Sequence, residues 1–461
     1  MRPLEITIPI LLGTYLLWHH PRPVAIRFAP ALALILTLIH FWIEGYRWQM
    51  IPIYILTALL AIAALIKLQS PADWKPLASY LTFGLLVVST ALPLLLPIPV
   101  IPTPSGPYQV GTRIYELTDI ARKEIYSGKD EARRFMIQIW YPAEADTSTE
   151  KARWMDEAEI YAPAVSGQIG MPPFFLDHLA LVKVPAYIEP KVAKSEQGHP
   201  IILFSHGWQG FNAQNTGQAL QLASNGFVVV GVQHTYGAVT TVFPDGTIVP
   251  YNPAGLGSDE TLIEEYETIA HILVDQWAGD LDYSLTFMDE LNNDPDSAFY
   301  QKLAITRVGV YGHSTGGGAA IQYCGTHPEC KALLGMDPFM RPVSYEVIDA
   351  GVTQPSFFMF SQRWTDDVDS RNNALFNKFF PHVTDSLGVI SIDGTGHYDF
   401  ADLPLLSPLA PQLGLKGPIN GKRVTVIIND YLLSFFNATL KGNSASLFEN
   451  QTPYSEIKPK Q

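Results

Sequence analysis

The sequence predicts an α/β protein, a mostly parallel sheet with helices on both faces, preceded by an all-α transmembrane region. Short apolar runs alternate with longer helical patterns in the last two-thirds of the chain. Val308-Gly309-Val310-Tyr311-Gly312-His313-Ser314-Thr315-Gly316-Gly317-Gly318 reads as strand, pinched turn and helix. The first hundred residues hold successive apolar stretches with few charges. Buried parallel strands appear as continuous apolar segments, and alternation with helices implies a sheet covered on both sides.

The chain has 461 residues and a formal net charge of −14. Six basic against three acidic residues before position 101 make that part +3 and leave −17 for the rest. So acidic a remainder excludes a nucleic-acid partner, since phosphate binding rests on clustered Lys and Arg. The length accommodates two units: a membrane region over 1–100, a Pro-rich linker over 101–107 and a catalytic domain over 108–461.

In the membrane region the apolar stretches are Ile6 to Trp18, Phe28 to Ile43, Ile51 to Ile66 and Leu77 to Leu96. Spanning takes about 20 apolar residues, so three or four transmembrane helices are expected, the first stretch being short. Trp18, Trp42, Tyr46, Trp48, Trp74 and Tyr80 gather at the ends, where amphipathic rings prefer the headgroup level. His19, His20 and His40 read as interfacial or packing residues, because no intramembrane acid partners them. With four spans, Arg22, Arg27, Lys67 and Lys75 lie on one side and Arg2 and Arg47 on the other. With three, Arg2 joins the first group. Either count puts the first group in the cytoplasm and the catalytic domain on the extracytoplasmic side of a multi-pass protein of the cell membrane. Pro97 to Pro107 then reads as an extended, semi-rigid spacer.

Beyond it, Arg134 to Pro142, Pro200 to Ser205, Phe227 to Val232, the elbow strand, Lys331 to Met336, Ser356 to Ser361 and Gly388 to Ile392 are expected strands; Gln218 to Asn225 and Glu260 to Leu291 are expected helices. The apolar insert Ile169 to Val182 reads either as a lid or membrane-facing lip, or as a packed surface helix. In this strand-turn-helix setting Gly312-His313-Ser314-Thr315-Gly316 is a nucleophile elbow of the α/β-hydrolase fold, with glycines where strand and helix must approach closely. The architecture then requires Ser, acid and His in chain order. Of His327, His382 and His397, only His397 follows the last strand directly, on a glycine loop. For the acid, Asp337 and the pair Asp366 and Asp367 both follow strands and are left tied, while Asp393 is expected to brace the histidine loop. Backbone N–H groups of Trp208, in His206-Gly207-Trp208, and of Thr315 are the natural oxyanion donors. The serine chemistry requires no cofactor and no metal. Cys324 and Cys330 are either a disulfide or two free thiols.

With Gly106-Pro107-Tyr108-Gln109-Val110-Gly111, Trp140-Tyr141-Pro142, Phe204-Ser205-His206-Gly207, Gly312 to Gly317, Met336-Asp337-Pro338 and Gly394 to Asp402 assembled, residues 105 to 440 resemble the plasma-type platelet-activating-factor acetylhydrolases and their bacterial relatives. The resemblance implies a triad of Ser314, Asp337 and His397, the 23-residue Ser-to-Asp spacing favouring Asp337. It also implies an ester hydrolase acting on phospholipids with a short or oxidised sn-2 acyl chain. Trp208-Gln209-Gly210 departs from the family's His-Gly-Leu-Gly block, which touches the acyl pocket rather than the backbone donor. A general short-chain carboxylesterase or lipase, and a non-catalytic membrane-anchored binding protein, are the competing readings. The partner implied is a lipid or small ester.

Overall fold

The fully apolar runs form the middle of one sheet because each presents hydrophobic side chains to both of its faces. In the computed structural model, described for all residues except 19–22, 66–75, 145–149, 258–261, 450–452 and 461, thirteen strands occur in chain order. They are β1 (Gln109–Lys123), β2 (Ala132–Ala143), β3 (Lys151–Arg153), β4 (Lys183–Ile188), β5 (His199–Ser205), β6 (Val228–Gln233), the hairpin β7 (Thr240–Val242) and β8 (Ile248–Pro250), β9 (Leu303–His313), β10 (Cys330–Met336), β11 (Ser356–Ser361), β12 (Ser386–Ile392) and β13 (Ile457–Pro459). Eleven make one sheet in the order β13-β12-β11-β10-β9-β5-β6-β2-β1-β4-β3. From β6 to β12 all neighbours are parallel, and β2 and β13 pair antiparallel at either side of that block.

Alternation within single strands builds two cores. Ile202, Phe204 and Tyr311 belong to one, with Leu220 of helix Thr216–Ser224 and Ile427 of helix Gly421–Lys441. Ile201, Leu203, Val308 and Val310 belong to the other, with Leu281 of helix Ile263–Asn293 and Ile321 of helix Thr315–Thr326. Each such side chain, fully buried, contributes about 1.5–3 kcal/mol. The expected strands and helices thus appear with ends shifted by a few residues. Strand β1 was not among those expected: its polar alternation is that of a strand whose faces are only partly covered.

Before residue 97 the described helices are Pro3–Leu17, Val24–Arg27, Ala29–Ile43, Ile51–Leu65 and Pro76–Leu95. Among the described residues one helix, Trp48–Leu65, is long and apolar enough to cross a membrane; Pro3–Leu17, Ala29–Ile43 and Tyr80–Leu95 are apolar but shorter. Three expectations change. His40 does have an acid: its ring meets Glu44 Oε2 at 2.9 Å and Tyr54 Oη at 2.7 Å. His19 and His20 lie outside the described residues. Arg47 is buried and paired with Glu5 at 2.7 Å, so it offers no free charge to a loop. The proline-rich run is extended but docked rather than a free spacer. Ile101 is buried in the first core, and Ser105 and Gly106 N–H groups donate to Gln221 and Ser224. Cys324 and Cys330 are disulfide-bonded.

Candidate active site

Strand β9 ends at His313, and the chain reverses into helix Thr315–Thr326 through Ser314 at φ 57° and ψ −124°. A positive φ on a residue with a side chain costs about 1–3 kcal/mol and persists only where its surroundings enforce it. Here they do: Ser314 N donates to Met336 O at 3.0 Å, and Ser314 O accepts from Phe339 N at 2.9 Å and Gly318 N at 3.1 Å. The flanking glycines are sterically required. A Cβ on Gly312 would lie 2.1 Å from Gly316 O, and one on Gly316 would lie 2.1 Å from Ser205 O.

Asp337 follows β10 at once and is fully buried. Its Oδ1 accepts from Ser361 N at 2.7 Å, and its Oδ2 accepts from Ser361 Oγ at 2.6 Å and faces His397 Nδ1 at 3.0 Å. A carboxylate only accepts, so Nδ1 carries the hydrogen and Nε2 is left with its lone pair. The His397 ring is sandwiched laterally: Trp364 stacks on it at 4.4 Å, and His313 lies at 4.5 Å and bonds its carbonyl through Nε2 at 2.9 Å. Burial and the adjacent His397 hold His313 well below the usual histidine range, so it stays neutral, with Nε2 as the donor and Nδ1 unpartnered. Asp366 and Asp367 are exposed, His327 stacks on Tyr323 and His382 is exposed on the short turn Phe380–His382.

The brace of the histidine loop is not Asp393, which pairs with Lys458 on β13 at 3.7 Å. Asp399 does this work, its Oδ2 accepting from Gly396 N at 2.8 Å and Gly417 N at 2.6 Å. Three residues further, buried Asp402 accepts from Gly217 N at the start of helix Thr216–Ser224. Burial pushes its carboxyl up to about 7 against the pull of those backbone donors.

The loop after β5 runs against the elbow: a Cβ on Gly207 would lie 3.2 Å from Ser314 Cβ. Among the described residues, neither Trp208 N–H nor Thr315 N–H donates to a protein acceptor, whereas Gln209 N and Gly210 N are bonded to Gly237 O and Gly207 O. Beneath this loop is a buried polar group that the sequence reading missed. His206 Nδ1 donates to Gly207 O at 2.7 Å and its Nε2 accepts from His234 N at 3.2 Å. His234 stacks on Trp277 at 4.1 Å, donates through Nδ1 to Asp280 Oδ2 at 3.0 Å, and accepts through Nε2 from Ser205 Oγ at 2.9 Å. Burial works against the Asp280 anion, but Arg133 at 2.6 Å, the His234 bond and Arg122 hold its carboxyl below the usual range. The available signal was polar residues at positions that pattern demands be apolar: Asp280 inside an amphipathic helix and His234 at the end of β6.

Ser314, His397 and Trp208 open onto one cavity of about 470 Å³, within the usual size of small-molecule sites. Its walls are largely apolar, with Phe175, Leu176, Leu403, Leu406 and Leu415 among them. The insert after Gly167 thus forms a wall, as the short helix Pro173–Leu181. Among the helices before residue 97, Glu5, His40 and Glu44 have metal-ligand spacing, but Arg2 and Arg47 already engage the carboxylates.

Residues 98–450 match the model of the family described as platelet-activating factor acetylhydrolase, isoform II. The chain is 25% identical over 410 residues to the platelet-activating factor acetylhydrolase of Cavia porcellus, covering 84% of this chain and 89% of that protein. It is 24% identical to that of Gallus gallus, over 74% of this chain and 83% of the relative. Among solved structures, a ferulic acid esterase from Streptomyces cinnamoneus superposes with a TM-score of 0.65 at 21% identity, covering 79% of this chain and all of the esterase.

Proposed function

The chain belongs to the platelet-activating factor acetylhydrolase, isoform II, family and is a carboxylic ester hydrolase; from that premise we propose that it cleaves short or oxidised sn-2 acyl esters of phospholipids with Ser314, Asp337 and His397. The observation that carries the reading is a serine held at positive φ on the rim of an apolar cavity that it shares with a histidine bonded to a buried carboxylate. In the proposed mechanism His397 Nε2 takes the Ser314 proton as Oγ attacks the ester carbonyl, and Asp337 holds the imidazole and stabilises the imidazolium. Trp208 and Thr315 N–H groups receive the developing oxyanion. His397 then returns the proton to the leaving alkoxide, and a water it activates cleaves the acyl-enzyme.

The division into a membrane region over 1–100, a linker over 101–107 and a catalytic domain over 108–461 belongs to the same proposal, as do the further membrane crossings. An extracytoplasmic catalytic domain is supported by the disulfide, which persists in oxidising compartments.

Hydrolysis of p-nitrophenyl esters and of short-acyl phosphatidylcholines by the purified protein tests the substrate. Phospholipid turnover at least about tenfold more efficient than that of simple esters of equal chain length supports the phospholipid reading, and the reverse order assigns a general short-chain esterase. Labelling of Ser314 by a fluorophosphonate tests the nucleophile, and an unlabelled Ser314 in folded protein sinks it.

A further inference from the structure

The helices before residue 97 share a wall with the cavity. Leu96, one residue past helix Pro76–Leu95, is buried and lines the same space as Ser314 and His397. Its carbonyl accepts from Arg47 Nη1 at 2.8 Å, and Arg47 is held by the buried Glu5, so a desolvated ion pair fixes the chain at this turn. Leu95 O accepts from Ser407 Oγ, and Ser407 is itself a cavity residue. On the other flank Trp48 Nε1 donates to Phe175 O at 3.2 Å and the Gln49 amide bonds His178 Nδ1 at 2.7 Å. Phe175 and His178 both line the cavity. Two separate parts of the catalytic fold, the insert before β4 and the loop after His397, are therefore fastened to the helical region where it meets the site.

The chemistry of this wall selects its ligand. Among the described residues, none lining the cavity carries an Asp, Glu, Lys or Arg side chain. The titratable His178 is pushed down to about 4 by burial and by the nearby Arg47 charge, so it is neutral. Such a surface repays an uncharged alkanoyl chain, each buried methylene contributing about 0.8 kcal/mol in transfer, and offers no ionic partner to a headgroup charge.

We propose that this wall is the acyl-chain site, and that the N-terminal helical region, through Leu96, sets the length of chain the enzyme accepts. The inference rests on Ser314 being the nucleophile of an ester hydrolase. It makes the first hundred residues a determinant of specificity as well as a place to anchor.

The test uses the full-length, detergent-solubilised protein with p-nitrophenyl acetate and p-nitrophenyl octanoate. The readout is the octanoate-to-acetate ratio of kcat/KM, which is independent of how much of a preparation is active. Leu96→Trp fills the wall, and the ratio is expected to fall at least about tenfold, equivalent to about 1.4 kcal/mol of transition-state binding. Leu96→Ala enlarges it, and the ratio is expected to rise. The opposite signs cannot both come from damaged folding. A ratio unchanged within about twofold in both variants, each labelled by a fluorophosphonate, overturns the proposal and leaves the hydrolase reading intact. Wild-type protein that neither labels nor cleaves either ester overturns both.

Discussion

Two Ser-His-Asp sets lie within this catalytic fold, one around Ser314, His397 and Asp337 and one around Ser205, His234 and Asp280. In each, the histidine donates through Nδ1 to the aspartate. The differences lie in everything around them. Ser205 sits in the extended backbone of β5 with no exposure, and its hydroxyl is used up by His234. Ser314 stands on a strained turn at a cavity, beside two N–H groups without acceptors. The same three functional groups make a structural relay in one place and a candidate nucleophile in the other, because access and free oxyanion donors, not residue types, separate the two.

That contrast can be broken by substitution. Ser314→Ala is expected to lower kcat by at least about 10³-fold without loss of thermal stability, whereas Ser205→Ala should cost less than about tenfold in kcat and about 1–3 kcal/mol of stability, since it leaves His234 Nε2 unpaired. Ester hydrolysis beside denaturant unfolding separates the two, and equal kinetic losses would erase the distinction. Asp337→Asn is expected to lower kcat by about 10⁴-fold by reversing the tautomer of His397. Asp366→Asn, at the exposed end of the short helix Gln362–Asp366, should leave the rate near wild type, and the converse pattern would move the acid to Asp366. At the buried set, Asp280→Asn leaves the Arg133 and Arg122 guanidiniums short of an anion and is expected to cost about 3–5 kcal/mol in a urea titration.

A last effect concerns Asp402 and is read out in pH. Its folded carboxyl is raised from 3.8 to about 7, so between those values the native state holds a proton that the unfolded state has released. Its contribution to stability is full below about pH 4 and is lost as pH rises towards about 7. Asp402→Asn removes the titration, so the stability of wild type relative to the variant should decline across that window. A difference that grows with pH instead would show the carboxylate to be stabilised by its backbone donors.

Legibility from sequence followed the same divide. The elbow could be read because Gly312 and Gly316 are imposed by close backbone contacts, which leave their mark at fixed spacing. His397 could be chosen because only one histidine after Ser314 directly follows a strand on a glycine loop. Asp337 could not be separated from Asp366 by pattern, since both follow strands; the hydrogen bond to His397 exists only once β10 and β12 have paired through β11. The Asp399 brace was assigned to Asp393 because its second anchor, Gly417, is a contact that no local rule reports. The relay under the loop after β5 joins β2, β5, β6 and the long helix, and so leaves no local motif. Before residue 97, hydropathy located the helices but not the Glu5–Arg47 pair that closes them upon one another.

The double grip of Asp399 has a mechanical meaning. One carboxylate oxygen holds both the glycine before His397 and a glycine about twenty residues on, so the stretch between them forms a closed loop whose clasp is not covalent. The exposed turn at Pro411 and Gln412 lies inside that loop. A single cut there would leave every candidate catalytic side chain in the molecule, yet free the strap that fixes the imidazole. Loss of activity on such a cut would therefore report backbone integrity at a place that holds no candidate catalytic side chain.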